Sequence, residues 1–285
     1  MDSAAIASSD TAFDPPPLSR RAIEGWIGDS GWTGPCAVEV VDETSSTSAD
    51  LMARARRAQF AQPVLRATDF QSEGRGRQGR PWFALPRHAL LFSMGMPLAE
   101  LPASLPAITL ACGVALAECL QPRGVDVQLK WPNDLRVGGR KLGGILSELA
   151  ADDKARFTLV VGIGINLHLE PSTRQMIGQP ALGLDELLPP VVVASEREAW
   201  IGRLAAATLQ TLDVFTRQGF AAFRPRFNTL MEGRGRDVDV VDNGAVVVSG
   251  RVADVDGHGR LLIDIGGGPP RMVSVGDVVF RDSTP

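Results

Sequence analysis

The chain has no tyrosine and almost no lysine. Of its 29 basic residues only Lys130, Lys141 and Lys154 are lysines, and asparagine occurs four times. A bias toward arginine explains such a count wherever surface charge alone matters. The lysines that remain then stand out, because a compact ammonium and a planar guanidinium do different chemistry. Cysteine is scarce too. Cys36, Cys112 and Cys119 offer neither a disulfide framework nor zinc-ligand spacing. His88, His168 and His258 are far apart and form no metal pattern. No apolar run approaches the roughly 18 residues of a membrane span. Residues 1–17 lack the basic and apolar regions of a secretory leader. These absences predict a cytoplasmic chain with no membrane partner. A formal net charge of −4 argues against sequence-independent nucleic-acid binding.

A length of 285 residues, with 44% hydrophobic and 22% charged, suits one large domain and one smaller one. Residues 1–18 are small, acidic and end in three prolines, which predicts a disordered tail. Periodicity predicts helices over 18–28, 48–60, 102–120 and 197–216. Cys112 and Cys119 fall on the apolar face of the third and read as core thiols. Strands are expected at 38–41, 64–70 and 90–96, the last closed by Pro97. Four more, at 125–129, 135–137, 142–149 and 157–167, read as an antiparallel meander. Beyond Gly233 come short β-rich runs separated by glycine turns, the pattern of a small SH3-like barrel. The predicted division is a tail at 1–18, a catalytic domain at 19–231 and a barrel at 232–285.

Four segments carry chemistry. The first runs Gln71 to Trp82 and interleaves Arg75, Arg77 and Arg80 with Gly74, Gly76 and Gly79. Glycines let backbone approach a ligand, and arginines present forked donors to phosphate oxygens. The spacing also fits G-x-G-x-x-G. However, Pro81 blocks a helix start and no acidic residue ends a following strand, so a dinucleotide fold is rejected. The second segment is Lys130-Trp131-Pro132-Asn133-Asp134 followed by Lys141-Leu142-Gly143-Gly144. Asn133 and Asp134 supply oxygens of the kind Mg²⁺ accepts. The glycine pair leaves space over a sheet for a flat ligand. The third, Ser46-Thr47-Ser48, reads as a helix cap or as hydroxyls for a ureido or amide group. The fourth is Gly162-Ile163-Gly164-Ile165-Asn166, a strand that something approaches closely. No serine–histidine–acid order stands out, so catalysis by charge and positioning is expected.

In this order the segments resemble a biotin–protein ligase, strongly over 38–166 and weakly over 233–281. The related lipoate ligases share the fold but lack the GRGRxGR run; a lipoate or octanoate ligase is the alternative. The resemblance implies an α/β (α+β) mixed-sheet catalytic domain similar to class II aminoacyl-tRNA synthetases, with an SH3-like C-terminal barrel. It implies biotin and MgATP as substrates, a biotinyl-5′-adenylate, and transfer to a lysine of a biotin carboxyl carrier protein. It assigns biotin contacts to Ser46, Thr47, Ser48, Gln71, Arg75, Gly76, Arg77, Lys141 and Gly144. ATP contacts fall to Arg75, Arg77, Trp82, Lys130, Asn133 and Asn166, and the metal to Asp134. Lys141 and Arg77 are the expected catalytic residues. Ser48 stands where asparagine is usual, and Pro86 to Leu90 replace a stretch richer in glycine. The acidic segment ahead of the first motif has no room for a helix-turn-helix module, so no DNA partner is expected. The resemblance leaves room for a homodimer.

Overall fold

The computed structural model describes residues 13–281. Helix α1 (Arg20–Asp29) starts at Ser19, whose hydroxyl accepts from the Ala22 N–H. Then come β1 (Ala37–Thr44), α2 (Thr47–Arg57), β2 (Val64–Gln71), β3 (Ala89–Leu98) and α3 (Ile108–Leu120). Strands β4 (Gln128–Lys130), β5 (Asp134–Val137), β6 (Arg140–Ala151) and β7 (Phe157–Asn166) follow. They form the antiparallel meander that their spacing predicts. Helices α4 (Pro171–Ile177), α5 (Pro190–Ser195), α6 (Arg197–Gln218) and α7 (Arg224–Leu230) complete the first part. Seven strands join in the order β1-β2-β3-β7-β6-β5-β4, and only β1 and β2 run parallel.

The two faces of this sheet differ because side chains alternate along a strand. Val161, Ile163 and Ile165 of β7 enter the main core with α3 and α6. Gly162 and Gly164 turn to the opposite face. There α2 covers one half, with Leu51, Met52 and Ala55 against Val64, Ala150 and Val160. The other half is left open, floored by glycine.

The C-terminal part holds β8 (Asp237–Asp242), β9 (Ala245–Val255), β10 (Leu261–Asp264), β11 (Arg271–Val273) and β12 (Asp277–Phe280). They form an antiparallel sheet in the order β11-β10-β9-β8-β12, as a small SH3-like barrel requires. Its interior valines, Val238, Val240 and Val252, belong to the same buried cluster as the first sheet. The Trp131 indole N–H donates to the Gly259 carbonyl at 3.0 Å.

Five expectations need correction. Residues 13–18 are packed rather than disordered; residues 1–12 lie outside the described residues. Leu18 is buried, its N–H donates to Asp69 Oδ2, and the Pro15 and Pro16 carbonyls accept from Arg87 and Arg197. These prolines are a strap with satisfied carbonyls, not a solvated tail. Pro97 does not close β3, which runs on to Leu98. Pro97 lies beyond the last residue paired with β2, Gly95, so no ladder on that side is broken. Helices α4 and α5 were not expected, being short and each starting at a proline. The segment Leu105–Arg123 is long and apolar enough to cross a membrane by length and composition, contrary to the sequence reading; it is largely buried in the core. Finally, the His88 and His168 rings, distant in sequence, lie 5.1 Å apart.

Candidate active site

The open half of the sheet is a cavity of about 330 Å³. Its floor is β7 and β6. A Cβ on Gly162 would lie 2.4 Å from Ser48 Oγ, and one on Gly164 would lie 2.7 Å from the Trp82 ring. Glycine at both positions therefore comes from close approach. The flat group that the Gly143–Gly144 pair was expected to admit is, in this structure, the Trp82 indole. It lies over Gly164 and Gly144, 6.0 Å from the Lys141 ammonium. Its buried Nε1 has no partner.

One end of the cavity is a hydroxyl cluster. Ser46 caps α2, so the cap reading of that run holds for Ser46. Capping places Thr47 and Ser48 on the first turn, buried and facing β3. Thr47 Oγ1 meets Ser93 Oγ at 2.7 Å, and Ser48 Oγ meets it at 2.9 Å. Gln71 Oε1 accepts from Thr47 N at 2.8 Å and from Thr47 Oγ1 at 3.0 Å. This fixes the Gln71 carboxamide and leaves its NH₂ free to donate.

The arginine loop closes over the floor. Gly76 N donates to Arg80 O at 2.7 Å, and Trp82 N donates to Gly74 O at 2.8 Å. The turn needs left-handed backbone at Gln78 (φ 55°) and Gly79 (φ 70°). Arg75, Gly76 and Arg77 all border the cavity. Arg77 donates to Asp277 Oδ1 at 2.9 Å, and Arg80 pairs with Asp277 Oδ2 at 2.8 Å. Asp277 belongs to β12, so the C-terminal sheet holds the loop.

Across the floor sits a group of charges. Lys141 Nζ and Asp134 Oδ1 are 2.6 Å apart, both side chains being mostly buried. Pro132 and Asn133 form a turn between β4 and β5, Asn133 N donating to Lys130 O. The Asn133 carboxamide donates to Ile145 O at 2.9 Å, which leaves its oxygen available. Asn166 ends β7 and donates to Leu182 O at 3.2 Å. Lys130 stands 5.5 Å from the Phe280 ring. Burial holds the Lys130 ammonium below its usual pKa, and nearby Arg136 pushes the same way. An anion entering beside Lys130 would relieve both.

Every residue that the resemblance assigned to biotin, ATP or the metal thus borders one cavity. Contributors that were not singled out include Ser93, the end of α4 at Met176 with Gln179 just beyond it, and Asp277 with Val278. Ser93 had a signal, being the one polar side chain in the apolar run Ala89 to Met94. The others had none. The cysteines behave as core residues: burial pushes the Cys112 thiol up to about 12 and the Cys36 thiol up to about 11.

Residues 39–166 match the model of the Biotin/lipoate A/B protein ligase family, and residues 235–281 match the Biotin protein ligase C terminal domain. The chain is 33% identical to the biotin--[acetyl-CoA-carboxylase] ligase of Mycobacterium tuberculosis over 278 residues, 93% of this chain and 96% of that one. It is 31% identical to the bifunctional ligase/repressor BirA of Escherichia coli over 197 residues, 69% of this chain and 60% of that one. In fold it is similar to the biotin protein ligase of Aquifex aeolicus solved in complex with biotin and ATP. That match has a TM-score of 0.65 and 24% identity, covering 86% of this chain and 98% of the other. A cavity with a hydroxyl end, a glycine floor and a phosphate-suited loop, on a sheet of this order, agrees with these matches, and the chain belongs to the biotin protein ligase family.

Proposed function

We propose that the protein joins biotin to one lysine of a biotin carboxyl carrier protein, using ATP. The observation that carries this reading is the pairing, in one cavity, of a neutral hydroxyl end with a cationic end. The end formed by Ser46, Thr47, Ser48, Gln71 and Ser93 suits a neutral ureido group by hydrogen bonding. Arg75, Gly76, Arg77, Lys130, Asn133 and Asn166 suit a nucleotide, with Trp82 able to leave the floor and stack on its base. Lys141 and Gly144 lie between, where the biotin carboxylate would meet the α-phosphate. The division into a catalytic unit at 19–231 and a barrel at 232–285 belongs to the same reading.

In the first step a carboxylate oxygen attacks the α-phosphorus and pyrophosphate leaves, giving biotinyl-5′-adenylate. An anion must approach a polyanion, so repulsion dominates the barrier. Lys141 and Arg77 put positive charge where negative charge collects. Lys141 exchanges Asp134 for the carboxylate and phosphate oxygens, which frees Asp134. With the Asn133 oxygen, Asp134 then fits Mg²⁺, which usually takes one or two protein oxygens plus substrate phosphates. That ion would neutralise phosphate charge. In the second step the carrier lysine amine attacks the acyl carbon and AMP leaves.

The name of the M. tuberculosis relative supports an acetyl-CoA carboxylase subunit as the carrier. Three free thiols suit a reducing compartment such as the cytoplasm. Biotin-dependent exchange of pyrophosphate into ATP tests the first step. Exchange with biotin and none with octanoate or lipoate is expected. Exchange with octanoate or lipoate alone would move the chain to the alternative.

A further inference from the structure

Beside the strap at 13–18, two histidines and two carboxylates meet outside the cavity. The backbone brings them together: Leu167 N and His168 N both donate to the His88 carbonyl, at 2.9 and 3.1 Å. His168 Nδ1 lies 2.5 Å from Asp185 Oδ2, and its Nε2 lies 3.3 Å from Glu170 Oε1. His88 Nε2 lies 3.0 Å from the Phe13 carbonyl, which can only accept, so this nitrogen carries hydrogen. The other nitrogen, His88 Nδ1, is buried and has no partner. One ligand atom each from His88, His168 and Glu170 falls within 4.8 Å of the others.

We propose that His88, His168 and Glu170 form a binding site for a divalent transition-metal ion of the zinc type, separate from the ligase cavity. Both imidazoles are arranged as metal ligands usually are. Each gives one N–H to a carboxylate or a backbone carbonyl, here Asp185 and Phe13, which orients the ring and leaves the other nitrogen for a metal. The 3.3 Å between His168 Nε2 and Glu170 Oε1 is the edge of a tetrahedron with bonds of about 2.0–2.1 Å. A ring nitrogen of His88 lies within 4.8 Å of both of those atoms, so the ion would draw the three side chains closer together. Two histidines and one carboxylate leave the fourth position to water. An ion here would tie the start of β3 to the segment after Asn166, stiffening one wall of the ligase cavity from behind without touching substrate.

The test uses the tag-free full chain, stripped with a chelator and titrated with zinc chloride by calorimetry. One ion per chain is expected, together with a rise in melting temperature. His168→Gln and Glu170→Gln should each weaken binding at least about 10-fold, and Asp185→Asn should do so to a similar degree through the His168 ring. Glu170 is half-exposed, so its variant keeps the fold even where the histidine variants do not. Cobalt loading should give visible absorption bands that Glu170→Gln removes. Failure of the stripped chain to take up zinc, binding unchanged in Glu170→Gln, or binding lost in Cys36→Ser would each overturn the site. None of these readouts depends on ligase activity.

Discussion

Lys141 and Asp134 neutralise each other across 2.6 Å on the cavity floor, and each becomes useful when the other lets go. A guanidinium is too broad to trade one carboxylate for two converging oxygens. Lys141→Arg is therefore expected to lower biotin-dependent pyrophosphate exchange about 100-fold, the usual cost of one well-placed donor. Near-normal exchange would contradict the role. Gly162→Ala tests the other end. Its Cβ, 2.4 Å from Ser48 Oγ, would break the hydroxyl cluster. An increase in KM for biotin of about 10-fold is expected, with a smaller effect on KM for ATP. Residues of this kind were legible in the sequence because local chemistry marks them: a lysine among arginines, a glycine in a strand. Asp277 was not legible. It is 200 residues from Arg77 and looks like any surface aspartate until the two sheets meet.

At the scale of elements, the arginine loop is held by two devices, its own backbone turn and Asp277 on β12. The ion pairs are partly solvated, so Asp277→Asn should change stability by less than about 1 kcal/mol. Its effect belongs to the loop. Release of biotinyl-adenylate should rise, read as streptavidin-detected labelling of a bystander protein such as albumin. Arg77→Gly should release more, since it also removes a phosphate donor. Unchanged bystander labelling in both variants would refute the clamp. The strands and long helices could be read from the sequence because apolar periods of two or nearly four set them. What could not be read depended on neighbours. Pro97 stays in β3 because β2 has already stopped pairing. Helices α4 and α5 are too short to show a period. Residues 13–18 are ordered by guanidinium donors, Arg87 and Arg197, and by an Asp69 carboxylate acceptor, all far along the chain.

For the whole molecule, the buried Arg197–Asp69 pair joins α6, β2 and the strap, with Arg197 only 1% exposed. Asp69→Ala leaves an uncompensated buried cation and should cost about 3–5 kcal/mol in chemical denaturation. Asp69→Ala with Arg197→Met should recover much of that loss. Acid acts elsewhere. A hydrogen bond from Arg156 holds the Asp152 carboxyl below the usual carboxylate range, and Arg281 does the same for Asp239. Both folded pKa values lie below the unfolded one. The stability they add is therefore present above about pH 4 and is lost as pH falls through and below it. Asp152→Asn should flatten the acid limb of a stability–pH curve. The central claim concerns transfer. The chain is incubated with biotin, MgATP and an acetyl-CoA carboxylase carrier domain, and the carrier is read by intact mass and by streptavidin blot. One biotin on one carrier lysine is expected, dependent on ATP and strongly reduced in Lys141→Arg. An unmodified carrier, or one modified only when octanoate or lipoate replaces biotin, would contradict the account.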